Sequence, residues 1–353
     1  ARLTPNAALI HLQGSNRMTP ALVQRRKEEL LVSHNLEIMQ ILKSAGRVSV
    51  MIKRPEREFP TIQEVWQQRQ LPASAPETNA NLLLGLREDT GHPLYLNLAG
   101  DFGGQEEHAP HTLIAGMTGG GKGILVQNLL LDICATNSPQ SAQIWIIDPK
   151  KGLDYRWIEG MPHLAGEMAI DKESAANVLN SLIDEMNRRN TLFRETPGEP
   201  QKLDEYNQLV NLEDRLPRIY VIHDEFAHWG QNKEYRQAAE EQINGLGQMA
   251  RAAGIHIILM TQRPDRDVMP LQARENLGNR LALRVANANN AALIGVPGSE
   301  KLLPKGQLAV SLPGETDIIY AQVPNVTRDE LDALTQAIRN QWADSIPRYK
   351  VSG

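Results

Sequence analysis

One glycine-rich run has the residue types and spacing of phosphate chemistry. Gly116, Met117, Thr118, Gly119, Gly120, Gly121 and Lys122 fit a phosphate-binding loop, followed by Gly123 and Ile124. Backbone N–H groups freed by Gly119, Gly120 and Gly121 can wrap a β-phosphate. A helix starting near Lys122 adds the positive end of its dipole, and the lysine reaches the β and γ oxygens. Gly123 breaks the pattern, because that place normally carries the Ser or Thr hydroxyl that contacts magnesium. Impaired rather than absent metal binding is expected. A substituted or nucleotide-holding site is the alternative.

A second set lies in "RIYVIHDEFAHW", an apolar run that delivers Asp224 and Glu225 at its end. Adjacent carboxylates there divide two jobs: Asp224 orients magnesium's water shell, and Glu225 takes the proton from attacking water. As a short pattern the pair is equally an ordinary turn. Behind the glycine-rich loop it reads as chemistry. In "HIILMTQRPD", Gln262 ends another apolar run and is placed to sense a γ-phosphate or hold the water.

These groups need a sheet to bring them together. From about residue 110 the chain alternates helical stretches with the short apolar runs "HTLIAG", "QIWIIDP", "RIYVIHDE", "HIILMTQ", "RLALRV", "GQLAVSL" and "DIIYAQV". Runs of this kind fit strands buried on both faces, as in parallel sheets. Between them, apolar residues at 175, 179, 182, 183 and 186 make a helical stripe with Asp171 as its cap. The expected class is α/β with a doubly wound, mostly parallel sheet.

Upstream, residues 1–45 read as mainly helical. Thr19 caps a helix with Pro20 at its first position, and "NLEIMQILKSAG" reads as a second helix closed by Gly46. "RVSVMIKRP" and "HPLYLNLAGD" read as strands, separated by a short helix and a Pro/Ala/Ser linker. The expected division is a small α+β N-terminal domain over 1–80 and a larger core over 81–353.

Length and composition suit a globular chain of roughly two domains. The net charge of −5 in 353 residues argues against a globally basic nucleic-acid binder, although a ring can gather its basic residues on a pore and stay acidic outside. The first 50 residues carry seven Lys and Arg against three Glu, read as a solvated face. Cys134, the one cysteine, sits in an apolar run as a core thiol, and the histidines show no zinc-site spacing. No apolar run is long enough for a membrane helix. A cytoplasmic, soluble fragment is expected, with any membrane tether lying upstream.

From about residue 92 to 349 the chain resembles the motor domain of the FtsK/SpoIIIE family of double-stranded DNA translocases. The stretches that carry the resemblance, in family order, are "PHTLIAGMTGGGKG", "IDPKKGLDYRWIEGMPHL", "AANVLNSLIDEMNRRNTLF", "LPRIYVIHDEFA", "MARAAGIHIILMTQRPDRDV", "NRLALRV" and "LLPKGQLAV". The resemblance implies a RecA-like P-loop NTPase core, ATP and Mg2+ as cofactors, and a homo-oligomer in the form of a hexameric ring around sequence-independent double-stranded DNA. Lys122 matches the loop lysine, Asp224 and Glu225 the Walker B pair, and Gln262 the sensor. Arg251 matches an arginine finger offered to a neighbouring subunit, with Arg280 in reserve. Lys150, Lys151, Arg263 and Arg266, on loops after strands, are candidate DNA contacts or ordinary surface charge. The implied settings are a mobile element, conjugative transfer or DNA defence, with a membrane-anchored, relaxase or defence partner. Members that read oriented sequences carry a winged-helix module after the motor; no such module is read in this sequence, and no sequence-directed loading by this chain alone is expected. A secretion or coupling ATPase and a non-hydrolysing ring module are the competing readings.

Overall fold

The computed structural model describes residues 2–15, 17–44, 46–69, 78–100, 106–247, 249–262, 264 and 271–343. Two sheets organise them. The smaller is antiparallel, in the order β1 (Arg2–Leu3), β2 (Ala7–Gln13), β4 (Arg47–Lys53), β3 (Ile38–Ser44), with α1 (Pro20–Arg25) and α2 (Lys27–His34) in the connection from β2 to β3. Thr19 caps α1 as expected, its hydroxyl accepting the Leu22 N–H.

The stretch read as a second helix is instead strand β3. Its register against β4 shifts between Ile38 and Gln40, so Ile38 and Ile41 meet Val48 and Val50 while Met39 joins Ala7, Leu9 and Met51 in another cluster. The bulge breaks the period of two and imitates helical i, i+3 spacing. Gly46, read as a helix cap, sits at φ +68° in the β3–β4 hairpin, a backbone region that favours glycine.

The larger sheet has nine strands. Its parallel half runs β8 (Ala142–Ile147), β9 (Arg218–His223), β10 (Ile255–Thr261), β7 (Thr112–Ala115), β11 (Asn279–Ala282). It continues antiparallel through β12 (Gln307–Ser311), β13 (Ile319–Gln322), β5 (Asn81–Arg87) and β6 (Pro93–Asn97). All seven expected runs are strands. β12 and β13 are nevertheless antiparallel, because burial on both faces, which they share with the parallel strands, fixes composition and not direction.

Helices cover both faces. One core gathers Ile114, Tyr220, Ile222, Ile258 and Met260 with Leu125, Leu129 and Ile133 of α4 (Lys122–Thr136) and Leu331 and Ile338 of α12 (Arg328–Gln341). The other gathers the alternate residues Leu113, Ala115, Ile219, Val221, Ile257 and Leu259. These pack on α5 (Lys172–Glu195), α7 (Phe226–Gly230), α8 (Lys233–Leu246), α9 (Met249–Ala253), α10 (Leu271–Asn276) and α11 (Ala288–Leu293). Asp171 caps α5 by accepting the Ser174 N–H, and Ala175, Leu179, Leu182 and Met186 form its buried stripe. A short α6 (Leu203–Leu209) closes against Phe193 in a satellite cluster.

Residues just before the larger sheet already pack on it. α3 (Ile62–Trp66) buries Ile62 in the first core, and Arg69 forms a buried ion pair with Asp132 of α4. Among the described residues no helix is long and apolar enough to cross a membrane.

Candidate functional site

The glycine-rich loop leaves β7 and turns into α4. Gly116 N–H donates to Thr261 O and Met117 N–H to Arg284 O, which hangs the loop between β10 and the end of β11. Gly119 and Gly121 have φ of +77° and +108°, so both need glycine. A Cβ on Gly121 would lie 2.8 Å from the Gly306 backbone, whose own N–H donates to Gly120 O at 2.9 Å. Gly306, far away in sequence, therefore braces the phosphate loop. Gly123 lies in the first turn of α4, where a Cβ would meet nothing within 4 Å. The missing hydroxyl is not forbidden by space.

β10 lies between β7 and β9, so the C-terminal ends of three neighbouring strands bring the remaining groups to the loop. Lys122 Nζ donates to Glu225 Oε2 at 3.1 Å. Glu225 Oε1 accepts the Gln262 N–H at 3.1 Å, and the Gln262 side-chain oxygen accepts from the Thr118 hydroxyl at 2.9 Å. Glu225 holds φ +36°, ψ +56°, a left-handed conformation costing of order 1–3 kcal/mol for a residue with a Cβ. Its N–H is tied to Asp224 Oδ1 at 2.7 Å, which locks the turn that aims the carboxylate at Lys122.

Asp224 is buried, and its N–H pairs with Ile147 O on β8. Burial raises its pKa; the charges of Lys150 and Lys122 pull the other way, and Asp148 adds to the rise. A carboxylate held in these surroundings favours a cation beside it. Among the described residues no cluster of three His, Cys, Asp or Glu offers a cage for a metal ion. The donor set fits a magnesium ion held through one carboxylate plus substrate phosphates and water.

Most of these groups border a cavity of about 720 Å³, whose lining does not include Gly116, Gly120 or Glu225. Met117, Thr118, Gly119, Gly121, Lys122, Gly123, Ile124, Asp224 and Gln262 line it. Sequence reasoning missed other walls: Phe59, Gln127, Asp154, Tyr155, Trp157, Lys305, Gly306 and Asn325. Only "IDPKKGLDYRWIEG" and "LLPKGQLAV" gave a signal for some of these, as matched stretches; nothing marked Phe59. Lys150, a candidate DNA contact, lines this cavity instead, 2.9 Å from Asp154 and 3.7 Å from Asp224. Asp148 shapes that loop by accepting the Lys150 and Gly152 N–H groups. Lys151 is exposed beside it, whereas Arg263 and Arg266 lie outside the described residues.

Arg251 is not brought to this cavity. It sits on α9, before β10, at the opposite end of that strand from Gln262. Its Nη2 donates to His108 O at 2.9 Å, Nε lies 3.6 Å from Glu107, and the side chain remains 45% exposed. Arg280 is spent on the carbonyls of Ile294 and Arg274.

The sequence profile of the FtsK/SpoIIIE family matches residues 67–266. A DNA translocase FtsK from Caldanaerobacter subterraneus subsp. tengcongensis is 32% identical over 243 residues, 69% of this chain and 33% of that protein. The DNA translocase FtsK of Helicobacter pylori is 28% identical over 315 residues, 88% of this chain and 35% of that one. The chain thus spans about a third of the length of these curated relatives. Among solved structures, the cytoplasmic domain of the Thermomonospora curvata type VII secretion ATPase EccC has a TM-score of 0.67 at 22% identity, over 84% of this chain and 36% of that one. The pCW3 conjugation coupling protein TcpA, in monomer form with ATPγS, has a TM-score of 0.65 at 21% identity, over 95% and 90%. These structures share the P-loop ATPase fold.

Proposed function

The chain belongs to the FtsK/SpoIIIE family, and from that premise we propose that it is an ATP-hydrolysing motor that translocates double-stranded DNA without reading its sequence. The observation that carries the reading is the convergence of Lys122, Glu225 and Gln262 into one hydrogen-bonded set above a glycine cradle. The names of the relatives support DNA as the substrate.

The residues divide the work. Loop N–H groups and the α4 N-terminus bind the β-phosphate, and Lys122 spans the β and γ oxygens. Magnesium, when bound with the phosphates, neutralises charge that develops on them. Asp224 would hold it. Phosphate oxygens compete with Glu225 for Lys122, and a Glu225 released from that ion pair turns to the attacking water as general base. Gln262, linked to both Thr118 and Glu225, registers the γ-phosphate and passes its presence to the base. Arg251, half exposed and remote from its own cavity, suits a role in trans at the site of a neighbouring copy, in a ring.

Steady-state ATP hydrolysis with and without linear double-stranded DNA tests the reading. We expect DNA to stimulate the chain, Lys122→Ala to lose nucleotide binding, and Glu225→Gln to keep binding while hydrolysis falls by about 10²–10⁴. Hydrolysis indifferent to DNA would remove the substrate assignment, and a parent chain that fails to bind ATP would remove the site.

A further inference from the structure

The cavity reaches beyond the phosphate loop to a wall built by the N-terminal segment. Phe59 lines it and keeps 38% of its surface exposed. The ring's position is fixed from behind. The Arg57 guanidinium, which does not line the cavity, lies 4.8 Å from the ring centroid. That guanidinium is itself held at three points: Nε donates to Asn6 Oδ1 at 2.6 Å, Nη1 to Pro304 O at 2.6 Å and Nη2 to Gln322 Oε1 at 3.2 Å. The backbone beside Phe59 is fixed as well, because Asn325 N–H donates to Pro60 O at 2.8 Å and Ile62 N–H to Asn325 O at 3.2 Å. Continuity with the phosphate loop is direct: Val323 N–H donates to Gly306 O, and Gly306 N–H to Gly120 O.

We infer that Phe59 is the residue on which the nucleotide's base stacks. An exposed aromatic ring beside a cavity whose other end binds phosphates offers what a planar heterocycle needs, a flat apolar face of fixed orientation. Asn325, exposed on the same wall, presents an amide that can both donate to and accept from a base edge. A ring already immobilised by Arg57 loses little freedom on binding, so its contact converts efficiently into affinity. The assignment rests on the proposed ATPase reading and adds to it a contribution from residues before the larger sheet.

The test compares ATP and ADP with inorganic tripolyphosphate, which shares the phosphate end and lacks a base. Affinities are measured by calorimetry on the parent chain, Phe59→Ala and Phe59→Trp. Base stacking predicts that Phe59→Ala weakens ATP and ADP by about tenfold. Tripolyphosphate binding should stay unchanged, and Phe59→Trp should restore the nucleotides. An equal loss for tripolyphosphate would mean that Phe59 only supports the loop, and an unchanged ATP affinity would mean that the base lies elsewhere; either overturns the inference. Failure of the parent chain to bind ATP at all would instead overturn the functional reading beneath it.

Discussion

At Gly123 the chain departs from its motif by one hydroxyl, and the surroundings decide what restoring it would do. A Cβ there meets nothing within 4 Å, and the position is helical, where serine is favoured over glycine by a few tenths of a kcal/mol. Gly123→Ser should therefore fold at least as well as the parent. In the proposed mechanism its hydroxyl would add a ligand to the cation assigned to Asp224 and the phosphates, a contribution on the order of a hydrogen bond to a charged group, about 1.5–3 kcal/mol. The magnesium concentration for half-maximal hydrolysis should fall about tenfold. Titrating magnesium at saturating ATP checks this, and an unchanged midpoint would show that the hydroxyl is not missed. The closeness of Lys122, Asp224, Glu225 and Gln262 was legible from type and spacing, Lys122 from the glycine run before it and the other three because they end apolar runs. Lys305 and Gly306 were visible only as part of a matched stretch: the closeness of Gly306 to Gly121 follows from β12 lying beside β11, itself the neighbour of β7, which no local pattern encodes.

Among the elements, α4 joins chemistry to scaffold. Its N-terminus faces the cavity, while Asp132 three turns on is fully buried and accepts from Arg69, from Trp66 Nε1 at 3.2 Å and from Leu83 N–H at 2.9 Å. One carboxylate thus fastens α3 and β5 to the helix that carries Lys122. Burial raises the Asp132 pKa, and Arg69, first among its partners, opposes the rise. Arg69→Ala would leave that charge buried and unpaired, a change worth about 3–5 kcal/mol. Urea unfolding should report it, and a loss below about 1 kcal/mol would mean that Trp66 and Leu83 suffice. Strands β6 to β13 of the larger sheet were readable because apolar runs of four to seven residues between polar ends have few other uses, whereas β5 carried no strand reading. Strand β3 was not, since a bulge at Met39 puts Ile38 and Ile41 on one face and so writes a helical period into a strand. Pairing direction was equally hidden in β12 and β13.

For the whole molecule, the question is how the four-stranded sheet is joined to the nine-stranded one. Glu88, at the end of β5, is 1% exposed, and its Oε1 accepts from Asn6 at 2.5 Å and from Gln307 of β12 at 3.0 Å, so three segments meet at one carboxyl group. Oε2 has no hydrogen-bond partner among the described residues. Burial pushes the pKa up to about 7, against the opposing pull of Asn6, Gln307 and Arg57. A folded-state pKa above the ordinary carboxylate value of 4.5 means that the folded state holds a proton that the unfolded chain has released. The associated stability is complete below pH 4.5 and is lost as pH rises through about 7. Glu88→Gln keeps an oxygen to accept from Asn6 and Gln307 but removes the titration. Relative to the parent, the variant should gain up to about 3 kcal/mol between pH 5 and pH 8. Comparing the two chains removes every other titrating group from the result. Denaturant unfolding of both at the two pH values decides the matter. A difference that does not change with pH would mean that Glu88 is charged throughout, and that the junction between the sheets is an ion pair with Arg57 in place of a protonated carboxyl.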